Sequence, residues 1–236
     1  MPDQPASSSL HLPFSDKYDR QHAVNYLRKH RDGIARRLSH RRDEKIARKA
    51  LALADEPTLV LDLPCGAGRF WPVLAEHPNR IVIAADYSAG MLETARTHQP
   101  PALRERIRML RTSAFSIGLP DGAVDSVFCM RLLHHIGSEE HRSAILNEFH
   151  RVARDTVILS LWVDGNYKAW RRRKLEQDRS RREERGEQNR FIVPARQVEA
   201  EFRDAGFEIL GRIDFIPLYA MWRTYVLRKA TAGGDR

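Results

Sequence analysis

Between residues 58 and 161 the apolar positions fall in five short runs: 58–63 (TLVLDL), 81–85 (IVIAA), 107–110 (IRML), 123–129 (AVDSVFC) and 156–161 (TVILSL). Mostly continuous runs, rather than strict alternation, predict strands covered on both faces and hence a mainly parallel sheet. The third run is the weakest, because Arg108 interrupts it. Helical patterns at 68–76, 88–98 and 138–153 lie among the runs. This alternation predicts a doubly wound α/β domain with helices on both faces of the sheet. A charged helical stretch follows at 165–190. Pro194 then opens a helix that runs to Asp204, and Gly206 ends it. Segments 207–215 and 219–227 read as two final strands in a hairpin, which makes the C-terminal strand antiparallel and the sheet seven-stranded. Upstream, Tyr18, His22, Asn25 and Tyr26 form one helical face. Ile34, Leu38, Ile46, Ala50 and Leu53 continue at helical spacing, with Gly33 between two helices. The chain therefore divides into a disordered tail at 1–15, a helical segment at 16–54, an α/β domain at 55–230 with a helical insertion at 165–193, and a tail at 231–236.

The 236 residues are 42% hydrophobic, enough for a core that needs neither disulfides nor metal. Two cysteines, Cys65 and Cys129, exclude a disulfide scaffold and a four-cysteine zinc site. No basic-then-apolar leader opens the chain and no apolar run approaches a membrane span. A reducing cytoplasm is the expected setting. The net charge of +9 is segregated: residues 17–49 carry +8, residues 168–190 carry +5, and the rest is −4. Such segregation makes a local field for anions, or two solvated Arg-rich helix faces.

The informative block is Leu61-Asp62-Leu63-Pro64-Cys65-Gly66-Ala67-Gly68-Arg69-Phe70, at a strand end that opens a helix. Glycines there let a ligand approach the backbone, and the helix start offers free N–H groups. The next strand ends in Asp86, 24 residues after Asp62, where an acid can accept both hydroxyls of a ribose. A dinucleotide fingerprint needs a third glycine where Trp71 stands, and a phosphate loop needs a Gly-Lys-Ser/Thr ending that is absent.

Asp62 to Gly68, Asp86-Tyr87-Ser88-Ala89-Gly90-Met91-Leu92, Gly118-Leu119-Pro120-Asp121-Gly122-Ala123-Val124-Asp125 and Leu133-His134-His135-Ile136 follow in order. Together they resemble class I, Rossmann-like S-adenosylmethionine-dependent methyltransferases, in particular the type 11 small-molecule group, over residues 55–165. The resemblance implies an S-adenosylmethionine site. Asp62, Cys65, Gly66, Ala67 and Gly68 would hold the methionyl part, Asp86 the ribose, and Tyr87 would lie beside the adenine. Ser113 and Ala114 would meet the adenine edge, and Met130 and Arg131 would flank the sulfonium. Ser113 departs from the aspartate frequent in the family, and Pro64 from a glycine. The resemblance also implies that the N-terminal helices and the insertion cap the cleft.

Methyl transfer to an O or N atom wants an aligned nucleophile and, where a proton leaves, a base. His134 and His135 follow the fourth strand and are the candidates, the alternative being one packed and one capping histidine. The Asn/Asp-Pro-Pro-aromatic motif of nucleic-acid amino-methylases is missing, since Cys129-Met130-Arg131-Leu132 stands there. No metal ligand set is expected. The basic segments point to an anionic acceptor, small or lipid-linked, with Tyr18, Tyr26, Tyr167, Trp170 and Arg171 among its walls. RNA as acceptor, or a non-catalytic cofactor-binding protein with basic arms for an acidic partner, are the competing readings. Oligomeric state is left open.

Overall fold

The structure is a computed structural model and describes residues 33–181 and 189–230. Seven strands form one sheet: β1 (Leu59–Asp62), β2 (Ile81–Asp86), β3 (Ile107–Arg111), β4 (Val124–Cys129), β5 (Ala153–Trp162), β6 (Phe207–Asp214) and β7 (Trp222–Lys229). Their order is β3-β2-β1-β4-β5-β7-β6. β3, β2, β1, β4 and β5 pair in parallel, whereas β7 runs antiparallel to both β5 and β6. The helices are α1 (Ile34–Leu53), α2 (Trp71–Leu74), α3 (Ala89–His98), α4 (Pro101–Arg104), α5 (Glu139–Val152), α6 (Tyr167–Arg181) and α7 (Ala195–Asp204), with one 3-10 turn at Leu133–His135.

The continuous apolar runs are buried on both sides, as their pattern predicts. Successive residues alternate between two cores: Leu61, Val127 and Val157 face α5 and α7, while Val60, Phe128 and Ile158 face α1 and α2. β3 carries exposed Arg108, Met109 and Arg111 because it is the edge of the sheet. Ser88 and Ser138 cap α3 and α5, accepting from the N–H groups of Met91 and His141.

Several expected boundaries shift. The helix expected over 68–76 is only Trp71–Leu74, because Gly66 and Gly68 have φ of 54° and 75° and cannot be helical. β5 begins at Ala153, before the expected Thr156. β7 begins at Trp222 rather than Tyr219, because Tyr219 and Ala220 turn back onto the Ile216 carbonyl. In α1 the buried stripe is Asp43, Ile46, Ala47, Ala50, Leu51 and Ala54, whereas Leu38 and Leu53 are exposed. Gly33 does precede a helix, at φ 102°. The expected tails and the helix of Tyr18 and Tyr26 lie outside the described residues. Among those residues no helix is long and apolar enough to cross a membrane.

Candidate functional site

β1 and β4 are neighbours, and the chain leaves them towards opposite edges of the sheet. The crevice beyond their carboxyl ends is where open α/β sheets bind ligands. Asp62 ends β1 there, and the loop from Cys65 to Phe70 curls above it. The Cys65 N–H donates to the Ala85 carbonyl at 2.8 Å and the Gly68 N–H to the Cys65 carbonyl at 3.0 Å. Both glycines have positive φ, but their surroundings differ. A Cβ on Gly68 would lie 2.7 Å from the Trp71 ring, so the indole packs directly on this residue. A Cβ on Gly66 would meet nothing within 4 Å, so the space over that residue is open.

Asp86 closes the other side of this space. Its Oδ2 accepts from the Gly66 N–H and its Oδ1 from the Ser88 N–H, each at 2.9 Å. Burial pushes its carboxyl up to about 6, against the pull of these backbone donors. Asp62 is buried, and its Oδ2 has no hydrogen-bond partner. Burial first, and the Asp86 charge second, hold its carboxyl well above the ordinary range, with only the Trp71 indole opposing. Two buried carboxylates thus flank one open glycine turn. Cys65 is buried beside them and its thiol is likewise pushed up by burial, which leaves it inert.

The remaining expected contacts follow the carboxyl ends of β2, β3 and β4. Tyr87 follows β2 and is half exposed. Ser113 and Ala114 follow β3, and the Ser113 hydroxyl accepts from the Phe115 N–H at 3.1 Å. Met130 is buried at the tip of β4. Arg131 has φ 67°; its N–H donates to the Ser160 hydroxyl at 2.9 Å, and its guanidinium turns away to Asp43 at 2.6 Å. Asp43 also accepts from Arg69 of the glycine loop. One buried acid of α1 therefore ties that loop to the tip of β4. Sequence reasoning missed Asp43, although it stands on the helical stripe of Ile46, Ala47 and Ala50.

His134 and His135 sit in the turn after β4 with their ring centroids 3.9 Å apart. His134 packs against Trp162 and Trp222 at 5.2 and 4.6 Å. Burial, then His135 and the guanidinia of Arg190, Arg131 and Arg172, push its pKa down to about 2. It is a neutral ring near pH 7. The His135 Nδ1 lies 2.6 Å from the Asn189 carbonyl and donates to it, leaving Nε2 as the lone-pair nitrogen. Its pKa is also lowered, chiefly by burial.

Trp162 and Trp222 face each other across the β5–β7 ladder, 5.6 Å apart. Arg172 and Arg190 lie over Trp162 at 4.9 and 5.7 Å, and Arg131 over Trp222 at 4.8 Å. Trp162 Nε1 and His134 Nδ1 are buried without partners. Arg172, not Trp170 or Arg171, is the α6 residue at this cluster. Trp170 and Arg171 stand on the exposed side of the helix, since residues one or two positions away point elsewhere. Tyr18 and Tyr26 lie outside the described residues.

The methyltransferase domain family matches residues 61–161. An uncharacterized methyltransferase-like protein of Schizosaccharomyces pombe is 34% identical over 110 residues, 46% of this chain and 39% of its own length. A demethylmenaquinone methyltransferase of Thermus thermophilus is 36% identical over 99 residues, 41% of this chain and 44% of its own. The matched stretches therefore span less than half the length of either curated relative. Among solved structures, the magnesium protoporphyrin IX methyltransferase of Synechocystis PCC 6803 with bound SAH superposes with a TM-score of 0.71 at 16% identity. That match covers 91% of this chain and 97% of the other. Human N-acetylserotonin methyltransferase with SAM gives 0.59 at 18% identity, covering 80% and 52%.

Proposed function

We propose that this protein, whose residues 61–161 match the methyltransferase domain family, transfers a methyl group from S-adenosylmethionine to an O or N atom of a small or lipid-linked, anionic acceptor. One observation carries the reading: the buried Asp62–Asp86 pair around a glycine turn whose Gly66 faces open space. An unpartnered buried carboxylate oxygen is costly unless a ligand satisfies it. The donor set fits the group. Asp86, at the tip of β2, keeps acceptor capacity for a ribose hydroxyl beyond its backbone bonds to Gly66, Ser88 and Tyr87. Asp62 offers negative charge to a cationic amino acid moiety.

When bound, S-adenosylmethionine supplies a methyl group on a sulfonium, open to in-line displacement. The chain's part is to bind, align and dry the site. Met130 gives the tip of β4 an apolar wall. Arg172 and Arg190, stacked on Trp162, offer guanidinium donors to an anionic acceptor. His135, whose Nδ1 donates to the Asn189 carbonyl, would use Nε2 to take a proton where one must leave. Alignment supplies most of the acceleration in such a site.

Calorimetry with S-adenosylmethionine tests the cofactor, and transfer of labelled methyl groups into fractionated extract, scored as small metabolite, lipid or RNA, tests the acceptor. Absence of any binding heat would defeat the reading. Asp86→Ala is expected to weaken cofactor binding by about 1–3 kcal/mol. In the unaltered protein, affinity should fall as pH drops below about 6, because protonated Asp86 loses acceptor capacity. An affinity flat from pH 5 to 8 would remove Asp86 from the site.

A further inference from the structure

Among the described residues, six of the eleven exposed large hydrophobic side chains fall in two short segments: Tyr167, Trp170 and Leu175 of α6, and Ile216, Leu218 and Tyr219 between β6 and β7. Leu218 is 82% and Trp170 60% exposed. The segments form one face. The N–H groups of Tyr167 and Lys168 donate to the carbonyls of Leu218 and Tyr219 at 2.9 and 3.1 Å. The Tyr167 and Tyr219 rings stack 5.8 Å apart, with Trp170 5.9 Å from Tyr167. A cavity of about 370 Å³, lined by Tyr167, Trp170, Arg173 and Leu218 among others, opens between them.

The face is also basic. Lys168 lies over Tyr219 at 5.0 Å and Lys174 over Trp170 at 5.8 Å, with exposed Arg171 between them in sequence. The acids at hand are engaged: Asp164 pairs with Arg173 at 3.3 Å and Glu176 with Arg172 at 2.7 Å. Aromatic and aliphatic side chains left exposed to water, with cations among them, suit one surface above others. Rings with a polar edge sit at the lipid headgroup level, aliphatic side chains enter the acyl boundary, and cations meet anionic headgroups. A nucleic acid would use the rings for stacking but has no use for Leu218, Leu175 and Ile216.

We propose that this face docks the protein on an anionic lipid bilayer. Arg172, on the other side of α6, lies over Trp162. Vesicle binding needs no cofactor, so it stands or falls apart from the methyltransferase reading.

The test is co-sedimentation of the full chain with vesicles of equimolar phosphatidylcholine and phosphatidylglycerol, against phosphatidylcholine alone. Binding is expected to the anionic vesicles only, and to weaken with salt. Trp170→Ala combined with Leu218→Ser should lower the partition at least about tenfold. Lys168→Gln, Arg171→Gln and Lys174→Gln should each lower it about fivefold. Both sites are exposed, so an unchanged thermal midpoint shows that the variants fold. Lack of binding at low salt, equal binding to neutral vesicles, or binding indifferent to the Trp170 and Leu218 changes would overturn the proposal. So would retention of RNA or a protein by this face without any lipid binding.

Discussion

Arg142→Met is expected to lower the stability of the protein by about 3–5 kcal/mol, a large share of what a domain possesses. Arg142 and Glu201 are both almost fully buried. The guanidinium grips both Glu201 oxygens at 2.6 and 2.8 Å, and its Nη1 donates to the carbonyls of Ile136 and Gly137 at 3.1 and 3.0 Å. One side chain thus ties α5 to α7 and to the turn that carries His134 and His135. Removing it strands a buried carboxylate, with only the Gln197 amide, at 3.2 Å, left to donate. The loss comes from that stranded charge rather than from the net worth of the pair. The double change Arg142→Met with Glu201→Leu should therefore recover most of it. Urea unfolding of the two single variants and the double variant at pH 7 measures both effects. A single-variant cost below about 1 kcal/mol would show that water reaches Glu201 and that the pair is not the clasp described.

Arg142 and Glu201 also mark where sequence reasoning stops. The strands, the order of the α/β units, the glycine turn and Asp86 are legible because their signals are local. A run of apolar residues, a glycine or an acid at a strand end speaks within ten residues or so. Arg142 pairs across 59 residues, and Arg131 finds Asp43 across 88. Read alone, a charged residue in a helix resembles solvent-facing surface. A usable signal was nevertheless present. Arg142 lies on the stripe of Ile145, Leu146, Phe149 and Val152, Glu201 beside Val198 and Phe202, and Asp43 beside Ile46, Ala47 and Ala50. A charge at helical spacing with apolar residues is a buried charge, and a buried charge requires a partner. The Trp162–Trp222 pair was beyond reach for another reason. The sheet inserts β7 beside β5, and only that ladder sets the two rings edge to face. Trp170 is 60% exposed, on the outer side of its helix, which a helical stretch without a clear apolar stripe did not reveal.

Asp62→Asn should act in opposite directions on stability and on binding. The unliganded protein should become more stable at pH 8 by about 1–3 kcal/mol. Asp62 sits at the tip of β1, buried, with Oδ2 unpartnered and the Asp86 charge nearby. Its carboxyl is held above its ordinary range in the folded chain, whereas in the unfolded chain it ionises normally. The stability linked to that raised pKa is present in acid and lost as pH rises through the folded value. Asparagine carries no charge to desolvate, so the variant should keep at pH 8 what the unaltered protein gives up, and the two should converge towards pH 4. Binding should move the other way. A charge-assisted contact to a cationic cofactor is worth about 1.5–3 kcal/mol, so affinity for S-adenosylmethionine should fall roughly 10–100-fold. Urea unfolding across pH 4–8 and calorimetry at pH 8 read the two effects. A variant that binds the cofactor normally, or one that is less stable at pH 8, would mean that Asp62 serves the fold and not the ligand. The expected pairing of gained stability with lost binding is the mark of a carboxylate kept buried for what it holds.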